Sequence, residues 1–143
     1  MGPDRRFDHC FAAQPMQVRA VLTRLRQASV MRGLSPDAAE CCELVLAEAM
    51  NNIVEHAYAG ADGALRLTLL RGRHRMICRL LDRGRALPGL TLPRGCLPDQ
   101  IDSLAEGGYG WFLIHSLSQR LHYRRADDMN RLIIVVSDNT PAA

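Results

Sequence analysis

The sequence predicts an α/β (α+β) sandwich of two layers, a mainly antiparallel sheet with helices on one face. Three observations predict it. Two consecutive segments in the first half carry apolar residues at helical spacing. Two pairs of alternating runs lie further on, each pair joined by a short turn, so their strands pair antiparallel. Between the pairs, a proline- and glycine-rich stretch loses all periodicity before a third helical segment. All 143 residues are expected to form a single domain, long enough for a real core and too short for two.

Phe7 to Phe11 alternates apolar and polar residues and reads as a short strand. After Pro15, the segment from Met16 to Met31 places Val18, Val21, Leu22, Leu25 and Ala28 on one helical face, and Gly33 closes it. Ser35-Pro36-Asp37 restarts a helix with an N-cap serine, a proline at the first position and an acid in the first turn. That helix is expected to run to about Tyr58. Leu65–Leu69 and Met76–Leu81 are strands joined across Gly72-Arg73-His74. From Arg83 to Glu106 three prolines and three glycines mark a long loop, with a short helical turn expected around Asp99 to Leu104; loops of this length are commonly lids. Gly110 to Arg120 is helical. His122–Arg125 and Leu132–Val136 form the last hairpin across Ala126–Asn130, and residues 137–143 read as a tail.

Composition narrows the function classes. All 18 basic residues are arginine, which excludes a phosphate-cradling or Schiff-base lysine. The net charge is +3, and Arg71, Arg73, Arg75 and Arg79 form the densest basic patch. With three Phe, three Tyr and one Trp there is little for bases to stack on, so no direct nucleic-acid partner is expected. No apolar run approaches the ~20 residues that span a bilayer, so no membrane partner is expected. Met1 to Phe11 mixes charges without an apolar core, unlike a signal peptide, and a cytoplasmic location follows. Five cysteines without a C-x-x-C spacing are read as small apolar residues rather than a metal site or a disulfide framework.

The segment Glu48 to Tyr58 carries the chemistry. Glu48 and Asn52 are four residues apart and share a helical face. A carboxylate accepts protons, and an amide oxygen is a hard ligand of the kind Mg²⁺ prefers. Structural alternatives stand beside this: Asn52 bridging within the core, and Glu48 pairing with an arginine such as Arg79. His56 reads as structural, and Trp111 as a core residue within reach of the lid or a ligand. Downstream lie two glycine turns, Asp82-Arg83-Gly84 and Gly107-Gly108-Tyr109-Gly110.

Together, Glu48-Ala49-x-x-Asn52-x-x-Glu55-His56-Ala57-Tyr58, Asp82-Arg83-Gly84 and Gly107-Gly108-x-Gly110-x-Phe112-Leu113-Ile114 resemble the N box and two glycine boxes of the GHKL (Bergerat-fold, histidine-kinase-like) ATPases. Within that superfamily the chain looks most like the small bacterial anti-sigma serine/threonine kinases of the RsbW and SpoIIAB type. The resemblance implies ATP and Mg²⁺ as cofactors, with Asn52 holding the metal and Glu48 as the catalytic base. It assigns Asp82 and Gly84 to the adenine pocket. Gly107, Gly108 and Gly110 fall at the phosphates, where backbone N–H groups at a helix start favour anions. A lid would span roughly residues 83–107.

The implied function is an anti-sigma factor that phosphorylates a Ser or Thr of a STAS-domain anti-anti-sigma antagonist. Its regulated target would be a sigma factor or another protein, and its usual form a homodimer. The first glycine box departs from the family: Arg85-Ala86-Leu87-Pro88 stands where a second glycine, or a Phe and an Asp/Asn-Pro pair, is usual. That departure supports an alternative, a non-catalytic partner-binding module with weak or lost ATP binding.

Overall fold

A computed structural model describes residues 5–94 and 108–138. Gly107, Cys96, the turn expected around Asp99–Leu104 and residues 139–143 of the expected tail lie outside the described residues. The described order is β1 (Arg6–Ala12), α1 (Pro15–Gln27), α2 (Pro36–Asn52), β2 (Ala64–Gly72), β3 (Arg75–Asp82), α3 (Gly108–Leu117), β4 (Arg120–Ala126) and β5 (Met129–Ser137). The five strands form one sheet in the order β1-β2-β3-β5-β4, every neighbouring pair antiparallel. The two-layer architecture read from the sequence is therefore the one present.

Alternation along the strands builds the core. Leu65, Leu67 and Leu69 of β2, Met76, Cys78 and Leu80 of β3, and Ile134 and Val136 of β5 face one side and are fully buried or nearly so. Val18, Val21 and Leu25 of α1 and Val45, Leu46, Ala49 and Met50 of α2 join the same cluster, as does Ile114 of α3. Two of the cysteines, Cys42 and Cys78, are buried within it as small apolar residues, whereas Cys10 is exposed and Cys41 half-buried.

Several boundaries differ from the sequence reading. The first helix ends at Gln27, not Met31: Ala28 is extended (φ −75°, ψ 146°), and a separate 3₁₀ turn, Ser29–Met31, brings both Val30 and Met31 into the core. The second helix starts as read, with Ser35 Oγ accepting from Ala38 N at 3.1 Å, but its α-geometry stops at Asn52. Ile53–Ala57 form a π turn closed by Tyr58 N–H donating to Ile53 O at 3.0 Å. The wider turn seats Ile53, Val54 and Tyr58 together in the core.

Arg120 begins β4 rather than ending a helix. The last hairpin turns in two residues, Asp127 and Asp128, both at positive φ (54° and 59°), because Ala126 already pairs with Met129. Met129 and Asn130 therefore belong to β5, and Ser137, read as tail, pairs with Arg75.

Candidate functional site

Sheet register assembles the first part of the site. Asp82 closes β3 and lies opposite Asn130 of β5, which in turn lies opposite Arg125 of β4. The alternation that buries Leu80, Leu132 and Ile134 turns this polar row toward the helices. Asp82 and Asn130 are each only 5% exposed, so each requires partners. Asp82 Oδ1 accepts from Gly84 N (2.8 Å) and from Asn130 Nδ2 (2.8 Å). Asn130 Oδ1 accepts from the Tyr123 hydroxyl (2.6 Å) and from Arg125 (3.0 Å).

The same network holds the loop after Asp82. Asn130 Nδ2 also reaches Arg85 O (3.0 Å), and Arg125 donates to Gly84 O (2.8 Å). Leu87 N–H donates to the Tyr123 oxygen (3.0 Å). Burial pushes the Asp82 carboxyl above its ordinary value, opposed by the bonds from Asn130 and Gly84 and by the charge of Arg125. Among the described residues no hydrogen bond goes to Asp82 Oδ2, which leaves an acceptor at the edge of the site.

Gly84 fits because it has no side chain. A Cβ there would stand 2.7 Å from the carbonyl carbon and oxygen of Ala57. Arg85 N–H donates to Ala57 O (2.8 Å) and its guanidinium to His56 O (3.2 Å), so the first glycine turn is clamped onto the π turn. Tyr58 completes the clamp: its hydroxyl donates to Ala64 O (2.6 Å) and accepts from Arg83 N (2.8 Å).

The second part of the site lies where α2 meets α3. A Cβ at Gly110 would stand 2.8 Å from Glu48 Oε2 and 3.8 Å from Asn52 Nδ2. Glycine at this position thus lets the first turn of α3, which opens at Gly108, come down on the Glu48–Asn52 face. Asn52 Nδ2 is buried with no hydrogen-bond partner among the described residues. Such a group carries a desolvation cost of about 1–3 kcal/mol until something completes it. A half-turn of the amide would offer Oδ1 at the same place. Arg79 does not pair with Glu48, because by register it faces away from the helices.

Between the two parts lies a cavity of about 530 Å³, within the range of small-molecule sites. Asn52, Asp82, Ala86, Trp111, Tyr123 and Asn130 are among its lining residues. Glu48 is not among the lining residues. Residues 11–136 match the family described as Histidine kinase-like ATPase domain. The chain belongs to this family.

Two further likenesses agree with the family. The Serine/threonine-protein kinase BtrW of Bordetella bronchiseptica is 33% identical over 88 residues, 61% of this chain and 62% of that protein. The chain thus aligns with less than two thirds of the length of that relative. The crystal structure of the RsbU and RsbW domains of Rv1364c from Mycobacterium tuberculosis is similar in fold. Its TM-score is 0.66 at 16% identity, covering 98% of this chain and 34% of that one. The RsbW-like resemblance of the sequence motifs and these likenesses point the same way.

The ATPase-domain cavity fits a nucleotide with a hard cation on two structural grounds. Asp82 offers a carboxylate oxygen that accepts no hydrogen bond among the described residues and is held in place by its partner oxygen's bonds. The Asn52 amide, unpartnered among the described residues, offers a neutral polar group of the kind a hard cation accepts, close to Gly110 of α3. Trp111 sits half-buried on the core, at 6.4 Å from His115, and lines the cavity as well. His56, read as structural, has its side chain largely exposed at the rim, while its backbone oxygen accepts from Arg85. Asn130, Tyr123 and Arg125 were not singled out from sequence. Asn130 had been placed in the hairpin loop, although its spacing from Leu132, Ile134 and Val136 already puts it on the core face.

Proposed function

We propose that this domain binds Mg²⁺-ATP and transfers the γ-phosphoryl group to a Ser or Thr of a STAS-domain anti-anti-sigma antagonist. In this reading it is the anti-sigma kinase of a partner-switching pair and holds a sigma factor, or another target, until the antagonist competes. The observation that carries the proposal is the buried, unpartnered Asn52 amide, beside Glu48 and Gly110 and on the same cavity as Asp82. The family match and the likeness to the kinase BtrW support it.

Asp82 Oδ2 accepts from the adenine amino group, while Asn130 and Gly84 hold the carboxylate in place. Asn52 is the Mg²⁺ ligand. A bound Mg²⁺ supplies positive charge that offsets charge developing on the transferring group. Glu48 accepts the proton of the attacking hydroxyl. Gly108 and Gly110, at the start of α3, serve the phosphates through backbone N–H groups, and by the resemblance Gly107 does too. We further take residues 1–143 as one domain that works as a cytoplasmic homodimer, which equilibrium sedimentation would check.

One observation favours a second reading, a binding module without transfer. Arg85 is the one arginine among the described residues lining the cavity, and its guanidinium is engaged by His56 O. Incubation with γ-labelled ATP and a purified STAS-domain antagonist separates the two. Label on the antagonist, lost in Glu48→Gln while ATP affinity is retained, supports the kinase. Tight antagonist binding with ATP bound and no label transferred would establish the binding module instead.

A further inference from the structure

The sheet has a second face, and the described helices all pack on the other one. Register places its residues in rows across the strands. One row reads Arg6–Leu70–Ile77–Val135–Arg120, the next Asp8–Thr68–Arg79–Ile133–His122, and the next Cys10–Arg66–Leu81–Arg131–Arg124. Leu70, Ile77, Val135, Ile133 and Leu81 are interleaved with arginines, and Arg79 on the central strand stands in the middle of the three rows. Asp8 is the one acid in these rows. It is already held by Arg66, at 2.9 and 2.6 Å.

Two features of this face are unusual for a solvated surface. Leu70 is 43% exposed, and Ile77 opposite it and Ile133 on β5 are only half-buried. Arg79 and Arg131, diagonal neighbours on the two central strands, each have a buried Nε without a hydrogen-bond partner among the described residues. A guanidinium donor taken out of water and left unpaired is costly, while the rest of each side chain is only half-buried. Arginine also presents a planar fork that matches carboxylates bidentately.

We propose that this face docks a protein whose contact surface interleaves carboxylates with apolar residues. Charge complementarity selects that occupant. A second copy of the face would bring arginine rows against arginine rows, and like charges in an interface repel. A nucleic acid would find no Phe, Tyr or Trp in these rows to stack on, and its phosphates offer no counterpart for the apolar residues. Arginine is enriched in protein interfaces, where it meets apolar neighbours as it does here. The surface lies across the sheet from the cavity, so the inference stands whether or not the nucleotide reading holds.

The test uses the full chain and a defined probe, an amphipathic helical peptide with leucines along one face and glutamates flanking them. Binding is followed by fluorescence anisotropy at low and physiological salt. The peptide is expected to bind, its Glu→Gln analogue at least tenfold more weakly, and both with Kd values that diverge most at low salt. The double variant Arg79→Gln/Arg131→Gln should weaken the peptide at least tenfold with ATP affinity unchanged. Because those side chains are partly buried, Arg120→Glu/Arg124→Glu on the exposed strand β4 provides a second reading of the same loss. Peptide affinity unaltered in both variants would overturn the proposal. So would tighter binding of a short DNA duplex or of phosphatidylserine vesicles through the same arginines. A wild-type dimer that dissociates on Arg79→Gln/Arg131→Gln would assign the face to self-association instead.

Discussion

At one end of the cavity Asp82, Asn130, Tyr123 and Arg125 satisfy one another and the loop after Asp82 through bonds of 2.6–3.0 Å. At the other end Asn52 Nδ2 is buried with no partner, and Glu48 lies against Gly110 without a hydrogen bond among the described residues. Both ends are polar and both are set on regular elements, yet the protein completes only one of them. The difference has a physical meaning. A satisfied network is stiff and fixes the shape that a ligand must match, whereas an unsatisfied group costs stability until a ligand pairs with it. The Asp82 end is therefore built for selection, and the Asn52 end for coupling to whatever arrives.

Substitutions at the two ends should behave differently, and the largest effect belongs to Asn130. Asn130→Ala removes donors to Asp82 and Arg85 O and the acceptor of Tyr123 and Arg125. Stability should fall by about 3 kcal/mol, read by urea denaturation, with ATP binding lost. A change under 0.5 kcal/mol would mean the network is not what holds this end. The glycines come next. Gly84→Ala would press a methyl 2.7 Å from the Ala57 backbone and should cost about 1–3 kcal/mol. Gly110→Ala meets instead the end of the flexible Glu48 side chain at 2.8 Å, so it should cost less stability while still weakening ATP. Equal destabilisation by the two would erase the contrast.

Asn52→Ala should leave the melting temperature unchanged or slightly raised, since it removes an unpaired buried group, and weaken Mg²⁺-ATP at least tenfold. A clear loss of stability without ligand would show that the amide is already satisfied. The smallest effect is a pH dependence. The folded Asp82 carboxyl has its pKa raised above the ordinary 3.8, so the fold binds that proton more tightly than the unfolded chain. The resulting stability is fully present below 3.8 and is lost as pH rises through the higher folded value. Asp82→Asn keeps an acceptor for Gly84 and Asn130 and has no proton to lose. Its stability relative to the natural protein should grow between pH 4 and 7, in denaturation series at each pH, while its ATP affinity falls. A gap that shrinks over that range would contradict the assignment of Asp82 as desolvated.

Much of this was legible in the chain. Periods of 3.6 and 2 located the helices and hairpins, because the two-layer core buries one face of each. The motifs point to Asp82, Gly84 and Asn52; Asp82 and Asn52 line one cavity, and Gly84 bonds to Asp82 beside it. The residues that escaped notice are those whose role arises from pairing across distant strands. Asn130 meets Asp82 only through the β3–β5 register, which no local pattern encodes. The π turn at Ile53–Ala57 escaped because its apolar residues still fit helical spacing and only the tertiary fit of Tyr58 widens it. The approach of Gly110 to Glu48 joins segments 62 positions apart, from 48 to 110.

The central claim is that the Asn52 end is completed by a metal-bound nucleotide. Calorimetric titration with ATP, with and without Mg²⁺, tests it most directly. The account predicts binding that requires Mg²⁺ in the natural protein and is nearly independent of Mg²⁺ in Asn52→Ala. Equal affinity with and without the metal in the natural protein, or no binding at millimolar ATP, would contradict it.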